Sequence, residues 1–544
     1  MRFKKLLSVA MASALCLSLM ACEQDKSGES GDSTSTSIVL TESWDFSSSF
    51  YTVLSAANSN NYGSTFWNRN FYDTLVSYDH KGEIQGSLAE TYDISEDGLT
   101  YTFHLRKGIK FSDGTPLTAE AVKQSVSAAI ANLGTFNGSY GKLTTIIKQM
   151  EAIDEHTFQM TLESPYYGTL NDLTMCNPLG IVNPKAFEKG VEKAQENCMI
   201  ATMGTGPYMY KSFENSTYTF VRNPNYWGEM PELDSFQVKV IEDNDAKVLA
   251  VRSGEIDAIL GSSRMSFDGF KDFSVDEGYG TSVDKSNSTT RYLGFNLATE
   301  PFNDILVRQA VAYAVDQQSL EKSVFSGAET AAEVLFSKDK AYCDVKQTTY
   351  NTDVDKAKAL MEKAGWVDKD GDGIREKDGK NLEIKLSYTQ GLSSIDDAAL
   401  AIASQLENIG FKVTPAGSDM MSWYGDIMAG KYTMAFWYTY GGVFDPTTVM
   451  TNINPSTSAD PIAMQFAPSI PGGASAIEEL NSTSDLERVQ EIYEQTLQAI
   501  ADKCLIVPIT YTHEMASWNK EKIESYDYYY DSNYVNVAGI NLKK

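Results

Sequence analysis

The sequence has 544 residues, of which 42% are hydrophobic and 22% are charged, and its formal net charge is −28 at pH 7. A chain of this length and apolar content can bury large cores in several domains. Its acidic surface repels nucleic acid and anionic lipid headgroups, which argues against polyanions as partners, and it does not identify a small ligand.

The first 21 residues are predicted to be a lipoprotein signal peptide. Arg2, Lys4 and Lys5 form a positive n-region, and the apolar run Leu6 to Met20 is too short to span a bilayer comfortably. The order Leu-Met-Ala-Cys then puts a small residue directly before Cys22. We expect cleavage before Cys22 and lipidation of its thiol. The alternative is an ordinary secretory signal with an incidental cysteine.

Residues 22–37 are predicted to be a flexible tether. They are rich in Ser, Gly and Asp and contain too few apolar side chains for a core. A tether of about 15 residues spans roughly 20 Å on average. A lipid on Cys22 would therefore hold a soluble body at the outer face of the cell membrane. No later run reaches the roughly 18 apolar residues of a membrane helix.

Residues 72–126 carry a pattern of short strands, turns and one helix. Between Leu99 and Leu105 apolar and polar side chains alternate, which is typical of a half-buried strand. Polar turns at 79–82 and 95–98 separate the strands. Thr118 is a candidate N-cap for a helix over about 118–132. The run contains no nucleophile, base or metal cage, so we interpret it as structural.

The remaining elements follow from apolar periodicity and capping residues, and the chain shows no internal repeat. Helices are predicted over 143–150, from Pro184 to about Glu196, from a cap at Asp245 to Gly254, after a cap at Asn303, over about 394–409, and over 484–502 with a capping box of Ser484 and Glu487. Strands are predicted as a pair over 151–163 and over Ile256 to Leu260, Arg291 to Asn296, Leu382 to Tyr388 and Leu505 to Tyr511.

Cysteines and acidic residues give no metal site. Outside the signal region the cysteines are Cys176, Cys198, Cys343 and Cys504, without zinc-ligand spacing or a CxxC pair. A Cys176–Cys198 disulfide could form outside the cell membrane because the two are close in sequence; the alternative is four unpaired, half-buried thiols.

One acidic run matches the first half of an EF-hand loop. It extends from Asp368 to Gly373, but the twelfth position of the loop is Gly379 rather than a bidentate Glu. The segment that follows reads as a strand instead of a helix. We therefore favour a plain acidic turn, and adventitious calcium binding is the alternative.

Three long runs resemble a single protein family. They are residues 88–125, which begin LAETYDISEDGLTYTFHLRKG, residues 205–260, and residues 291–320, which begin RYLGFNLATEPFNDILVRQAV. Together with shorter matches after residue 330 they resemble the extracellular solute-binding proteins of family 5, the peptide- and nickel-binding receptors of ABC importers. A gapless pattern of this length is far more specific than a short motif.

The resemblance implies an α/β fold with two lobes, of the periplasmic-binding-protein type II class. The first lobe would comprise residues 38–286, with an inserted subdomain at about 78–200, and the returning chain 512–544. The second lobe would comprise residues 297–504. Hinge strands at 287–296 and 505–511 would join the lobes, which close on a solute between them.

The implied function is that of a transport receptor, with no cofactor and no catalytic residue. Its partners would be a small-molecule or peptide ligand and the permease and ATPase subunits of an ABC importer. An exported hydrolase is a remote alternative, because the sequence lacks GxSxG, HExxH and a Cys/His pair and has only 4 histidines. A surface sensor or adhesin is the other alternative, since the lipid tether permits it.

The family's two ligand classes predict different charged residues. Peptide-binding members place an acid three positions before the Asp of a DP dipeptide, where this chain has Gly442 before Asp445. Nickel-chelate members use arginines and a histidine, and the corresponding positions are Asn137, Asn177 and a residue near Ser458. Both departures favour a solute held by neutral groups. A short peptide gripped through its backbone is the preferred ligand, and a nickel or metal chelate is the alternative.

The candidate ligand-binding residues come from family position and are mostly aromatic or neutral. They are Asn137, Tyr140, Asn177, Trp437, Tyr440, Phe444, Thr512 and His513. Aromatic walls suit stacking on apolar or cationic groups, but core or cleft-wall packing is the alternative for each of them. A lone histidine such as His513 does not make a nickel site, so no metal ligand is predicted.

Overall fold

The computed structural model describes residues 36–46, 49–53, 63–79, 81–133, 141–199, 201–286, 288–391, 394–440, 446–458 and 460–544. Thr36–Lys544 form one compact unit. The signal peptide, Cys22, Asn137, Tyr140 and Phe444 lie outside the described residues. Within the described ranges, no helix has both the length and the apolar character needed to cross a membrane.

The strands are short and distributed along the whole chain. They are β1 (Ser37–Glu42), β2 (Val76–Tyr78), β3 (Ile84–Gly86), β4 (Ala89–Ile94), β5 (Thr100–Leu105), β6 (Ile147–Asp154), β7 (Thr157–Leu162), β8 (Tyr208–Glu214), β9 (Thr217–Arg222), β10 (Ser235–Val240), β11 (Ala258–Leu260), β12 (Tyr279–Val283), β13 (Thr290–Phe295), β14 (Thr330–Ala331), β15 (Glu376–Lys377), β16 (Lys380–Asn381), β17 (Glu383–Thr389), β18 (Lys412–Ser418), β19 (Met434–Tyr438), β20 (Ile506–Tyr511), β21 (Met515–Asn519), β22 (Ile523–Tyr526) and β23 (Ile540–Leu542).

The helices alternate with these strands. They are α1 (Ala119–Leu133), α2 (Leu143–Ile146), α3 (Thr169–Thr174), α4 (Cys176–Leu179), α5 (Ala194–Asn197), α6 (Asn244–Arg252), α7 (Phe267–Ser274), α8 (Ile305–Ala314), α9 (Gln317–Ser323), α10 (Val354–Lys363), α11 (Ile395–Glu407), α12 (Met420–Met428), α13 (Thr447–Thr451), α14 (Gly473–Leu480) and α15 (Leu486–Asp502).

The largest sheets are formed by different halves of the chain, before and after the predicted boundary between the lobes in sequence. In the first half, β1 pairs in parallel with β10 in a sheet of order β1-β10-β9-β8, and the antiparallel sheet β4-β5-β7-β6 falls within the predicted inserted subdomain. In the second half, a six-stranded sheet has the order β14-β20-β13-β19-β17-β18. Its parallel strands β17, β18 and β19 alternate with helices in sequence, as βαβ units require.

The chain passes directly from the six-stranded sheet into a sheet of the first half. Strands β13 and β20, which fall within the predicted hinge segments, are antiparallel neighbours in the six-stranded sheet. After β20 only Thr512–Glu514 separate it from β21, which lies between β11 and β12. The hinge function of these strands stays a prediction.

Three apolar cores support these sheets. The first contains a stack of aromatic rings, in which Phe220 lies 4.9 Å from Phe71 and 4.8 Å from Phe236 between ring centroids. The second core contains residues from both sides of residue 286, the predicted end of the first segment of lobe 1. In it Phe267 packs edge-on against Phe325, with 5.3 Å between ring centroids. The third lies in the second half of the chain around Trp423. Burying such large side chains is the main favourable term in folding.

Several predicted elements are confirmed. Helix α1 begins where Thr118 was expected to cap it, and the hydroxyl of Thr118 accepts a hydrogen bond from the amide of Ala121 at 3.2 Å. The predicted strands after residues 255, 290, 381 and 504 are present as β11, β13, β17 and β20. Alternation and short apolar runs therefore located these strands correctly.

Two predicted helices are wrong in part. Helix α2 ends at Ile146, and the rest of the predicted 143–150 helix is strand β6, which pairs with β7. The predicted helix after Pro184 is broken into 3-10 turns and the short α5, because Gly190 adopts a φ of 105° that a continuous helix does not allow.

Three predicted caps are displaced to a neighbouring aspartate. Asp243, Asp304 and Asp485 cap α6, α8 and α15, where Asp245, Asn303 and Ser484 were predicted. In each helix the capping carboxylate accepts an amide hydrogen bond from the first turn. Where two adjacent residues can both cap, the sequence does not show which one leaves the helix with extended backbone.

The proposed Cys176–Cys198 disulfide is absent. Both cysteines are fully buried and form no disulfide, and neither do Cys343 and Cys504. Burial raises the pKa of Cys176 and of Cys198 to about 12, so both are inert thiols. Closeness in sequence did not bring the two sulfur atoms together.

Candidate functional site

Asn177 is the predicted site residue with the most polar neighbours from distant parts of the chain. It is 6% exposed and belongs to α4. Its Oδ1 accepts a hydrogen bond from Nδ2 of Asn68 at 2.8 Å, and its Nδ2 donates to the carbonyl of Thr65 at 2.9 Å. The hydroxyl of Tyr534 lies 3.4 Å from its backbone nitrogen. Asn177 therefore ties the 65–68 segment to the C-terminal region.

Arg69 lies beside this network on a short 3-10 helix, Asn68–Asn70. Its Nη2 donates to the carbonyl of Thr174 at 2.6 Å, and its guanidinium carbon lies 5.2 Å from the ring centroid of Tyr534. Its buried Nε has no acceptor among the described residues. Burial disfavours its charge, but Tyr534 and other neighbours outweigh this effect and raise its pKa, so Arg69 stays a cation.

The charges of Arg69 and of Lys340, which lie in different halves of the chain, both act on Asp531. Burial raises the pKa of Asp531 to about 6, while the charges of Arg69 and Lys340 act in the opposite direction. Its Oδ1 accepts a hydrogen bond from the amide of Asn533 at 3.3 Å. Lys340 lies in the predicted second lobe and Asp531 in the chain that returns to the first. The charge of a residue in the predicted second lobe therefore acts on a carboxyl group in the chain that returns to the first lobe.

Lys340 is 7% exposed. Burial lowers its pKa to about 8, and the carboxylates of Asp339, Asp531 and Asp284 oppose this shift. We call Asn68, Arg69, Asn177, Asp531 and Tyr534, together with Lys340, whose charge acts on Asp531, the Arg69 cluster.

Buried polar atoms near the Arg69 cluster lack partners among the described residues. They are Thr65 Oγ1, Asn68 Oδ1 and Ser532 Oγ. Asn68 is 1% exposed and Ser532 is 5% exposed, so bulk water does not satisfy them freely. Buried polar groups are normally hydrogen-bonded, and a group of unpartnered ones suggests a missing ligand or bound water. The cluster offers donors and acceptors for recognition and no paired nucleophile and base.

Thr512 and His513 form a second group at the exit of β20. The hydroxyl of Thr512 accepts a hydrogen bond from the amide of Thr289 at 3.0 Å. Nε2 of His513 lies 2.9 Å from Oγ1 of Thr330, and its Nδ1 lies 2.9 Å from the carbonyl of Ser286. Both ring nitrogens of His513 are therefore engaged within the protein, which leaves neither directly available to a metal.

Trp437 and Tyr440 form a third group around Asp460. The indole of Trp437 is 5% exposed and packs 4.7 Å from Trp423 between ring centroids. The hydroxyl of Tyr440 donates to Oδ2 of Asp460 at 2.8 Å. Oγ of Ser458, near the position of the nickel branch's histidine, donates to the carbonyl of Asp460 at 3.1 Å. These contacts anchor Trp437 and Tyr440 in the third core, and their contact with a ligand stays a prediction.

Sequence reasoning missed the charged members of the Arg69 cluster. Arg69, Lys340 and Asp531 have no mutual spacing in sequence that would suggest contact. The available signal was the C-terminal run from Tyr526 to Tyr534, which is rich in tyrosine and follows no strand or helix period. Such a run has no reason to be aromatic unless its rings pack against another part of the molecule.

A further contact between the predicted lobes has complementary partners on both sides. The hydroxyls of Tyr167 and Tyr493 lie 2.9 Å apart, and Tyr342 packs against both rings. Nζ of Lys142 donates to the carbonyl of Asn481 at 2.6 Å, just after the end of α14. We call these five residues the clasp. It joins the predicted inserted subdomain to α14 and α15.

The acidic run at 368–373 is a turn on the surface. The carboxylates of Asp368, Asp370 and Asp372 are exposed and lie within 4.8 Å of one another. Asp368 accepts the amide of Gly371 at 2.7 Å, and Asp372 accepts the amide of Ile374 at 2.8 Å. These bonds are those of a self-capped turn, so nothing here requires calcium.

Comparison with known proteins assigns the family. A family model described as bacterial extracellular solute-binding proteins, family 5 middle, matches residues 83–461. The chain is 33% identical over 448 residues to the nickel-binding periplasmic protein of Escherichia coli K12, covering 82% of this chain and 84% of that protein. The chain belongs to family 5. It is also 26% identical over 507 residues to the oligopeptide-binding protein AppA of Bacillus subtilis, covering 88% and 87%.

Solved structures of family 5 proteins share the fold. The chain superposes on NikA from Brucella suis in complex with Fe(III)-EDTA with a TM-score of 0.85 and 25% identity, covering 93% of this chain and 100% of that one. For AppA from Bacillus subtilis in complex with a nonapeptide the TM-score is 0.74 at 22% identity, covering 94% and 100%. The predicted α/β fold of two lobes, of the periplasmic-binding type II class, is confirmed. These relatives are transport proteins that bind solutes.

Proposed function

We propose that this family 5 chain is the lipid-anchored receptor of an ABC importer that captures a short peptide between its lobes and passes it to a permease. The observation that supports the ligand class is the Arg69 cluster, where Nε of Arg69 and Oδ1 of Asn68, with the nearby hydroxyls of Thr65 and Ser532, have no partner among the described residues. Peptides present main-chain donors and acceptors at regular spacing, which such groups can satisfy.

The described residues favour a peptide over a bare metal. Both nitrogens of His513 are engaged, and the one group of three metal-ligating side chains found among the described residues is the exposed turn at 368–372. A nickel site normally requires imidazole or thiolate ligands. The four cysteines in the described part of the chain are buried, which withholds their sulfur atoms from a solute.

A metal chelate is the second candidate. It is favoured by the TM-score of 0.85 with a NikA that holds Fe(III)-EDTA and by the 33% identity to a nickel-binding periplasmic protein. In a chelate the metal's ligands come mainly from the small molecule, so the receptor needs few metal-binding side chains of its own.

Native mass spectrometry and calorimetry distinguish the candidates. Protein purified without refolding should carry a mass that matches a short peptide, and a mixed peptide library should bind in the micromolar range or tighter. Nickel–histidine should bind much more weakly. Submicromolar affinity for nickel–histidine with no binding of peptides would overturn the peptide assignment and favour the chelate.

The anchor is tested independently of the ligand. The order Leu-Met-Ala before Cys22 supports lipidation at Cys22, and the Cys22→Ala variant should therefore remain unprocessed or be released from the membrane fraction. A Cys16→Ala variant, which alters the signal but not the cleavage site, is the matched control. Full acylation and membrane retention of Cys22→Ala would contradict the proposal.

A further inference from the structure

Arg69 differs from four other buried or half-buried arginines in the described part of the chain. Arg264 is paired with Glu42 at 2.6 Å, and Arg291 with Glu329 at 2.9 Å. Arg308 donates to the carbonyls of Phe302, Lys503 and Cys504, and Arg375 to those of Trp366 and Ile409. Each of these guanidinium groups is thus held by a carboxylate or by several carbonyls, although Nη2 of Arg264, like Nε of Arg69, has no partner among the described residues.

Arg69, in contrast, has one hydrogen bond to a carbonyl and one aromatic contact. Two acids influence it, Asp73 and Asp531, but neither is within 4.0 Å of its nitrogens, the distance that would make an ion pair. Burial raises the pKa of both acids, and Asp73 already accepts hydrogen bonds from Thr205 at 2.7 Å and Trp227 at 2.9 Å. The guanidinium therefore lacks the acceptor that its buried Nε requires.

The surroundings of Arg69 point to an acceptor that comes from outside the chain. The hydroxyls of Thr65 and Ser532 are buried, have no partner among the described residues, and are additional donors. The guanidinium carbon of Arg69 lies over the ring of Tyr534, 5.2 Å from its centroid. The charge of Lys340, which belongs to the predicted second lobe, acts on Asp531.

We propose that Arg69 binds a carboxylate of the transported solute. Guanidinium and carboxylate match in shape and charge, and such hydrogen bonds are about twice as strong as neutral ones. The carboxylate belongs either to the C-terminus or an acidic side chain of a peptide, or to the organic part of a metal chelate. This inference rests on the proposed function, because it requires that a solute enters between the lobes.

The test compares each ligand with an analogue in which an amide replaces the carboxylate. Calorimetry with the wild-type full-length protein uses a binding peptide against its C-terminal amide, and nickel–histidine against nickel–histidinamide. For the solute class that binds, the carboxylate form should bind at least about tenfold more tightly than the amide. The peptide and nickel arms identify the source of the carboxylate.

Variants then assign the preference to Arg69. Arg69→Met should remove the difference between the carboxylate and the amide, and Arg69→Lys should restore part of it. The control Arg488→Met removes a half-buried arginine of α15, which is paired with Glu479, and should keep the full preference. Thermal melts of each variant establish folding, and the wild-type comparison does not depend on any variant.

The outcomes separate the two claims. Equal affinity of the wild type for carboxylate and amide, or an unchanged preference in Arg69→Met, would overturn the Arg69 assignment and leave the proposed function intact. If the wild type binds neither peptides nor chelates, the proposed function fails and the inference fails with it.

Discussion

The clasp and the Arg69 cluster each include residues of both predicted lobes, and they differ in how well their polar groups are matched. In the clasp the hydroxyls of Tyr167 and Tyr493 bond to each other, and Lys142 reaches a carbonyl of the opposite lobe. In the Arg69 cluster a guanidinium N–H and several hydroxyl or amide groups have no partner among the described residues.

This difference indicates that the two contacts have different functions. The contacts of the clasp are formed within the protein, although Oδ1 of Asn481 has no partner among the described residues, so the clasp can stabilise contact between the lobes whether or not a solute is present. The Arg69 cluster becomes matched only when a solute supplies an acceptor. A solute that binds the closed form more tightly than the open form would then stabilise the closed form. Because the clasp also stabilises contact between the lobes, it would lower the free energy that the solute must supply for closure.

The largest expected effect contrasts a paired arginine with Arg69. Arg264→Met should lower the free energy of unfolding by about 3–5 kcal/mol, because it leaves Glu42 buried without its partner. Arg69→Met should cost far less in the solute-free protein, because it separates no ion pair. Urea denaturation measures both values. A similar loss in the two variants would show that Arg69 is a structural residue.

The next effect concerns the pH dependence of Asp531, which faces Arg69, Lys340 and Glu514. Burial raises its pKa from 3.8 to about 6, so its contribution to stability is present below about pH 3.8 and is lost as the pH rises through about 6. Asp531→Asn should therefore raise the free energy of unfolding by about 1–2 kcal/mol at pH 8.

At pH 4 the same substitution should change little, because the wild-type carboxyl is then protonated in the folded protein. Glu521→Gln, an exposed acid, is the matched control. Urea denaturation at the two pH values measures the effect. An equal change at pH 4 and pH 8 would contradict this assignment of Asp531.

The smallest expected effect comes from the clasp. Tyr493→Phe and Lys142→Met each remove one hydrogen bond between the lobes, worth about 1 kcal/mol. Affinity for the solute should fall by about fivefold in each variant, while the preference for a carboxylate over an amide stays the same. Lys193→Met, which removes an exposed lysine paired with Glu196, should have no effect.

Calorimetry measures the affinity of the clasp variants for the solute, and small-angle scattering measures whether the lobes close on it. A loss of the carboxylate preference in the clasp variants would mean that the two contacts are not separate. An unchanged affinity would show that the clasp does not contribute to closure of the lobes.

The sequence was sufficient for elements whose signals are local. Thr118 and the alternating strand after Leu99 were correctly interpreted, because caps and alternation depend on neighbours in sequence. The family pattern supplied the two-lobe fold, which these local signals do not determine. Adjacent candidates such as Asp304 and Asn303 were confused, since either residue has the chemistry of a cap.

The candidate site was harder to predict because it joins distant residues. Arg69, Asn177, Lys340 and Asp531 meet only in the folded chain, and no spacing rule relates them. Trp437 and Tyr440 were assigned from family position, but the sequence could not show that both surround Asp460. Asn137, Tyr140 and Phe444 stay predictions outside the described residues.

Hydrogen–deuterium exchange tests the contrast between the two contacts most directly. Exchange is followed with and without a saturating peptide library, in segments that contain Arg69, Lys340 and Asp531 and in segments that contain Tyr167 and Tyr493. We predict that the solute slows exchange strongly in the first set and only slightly in the second. Equal protection of both sets of segments, or protection of the clasp alone, would contradict the claim that the solute binds at the Arg69 cluster and not at the clasp.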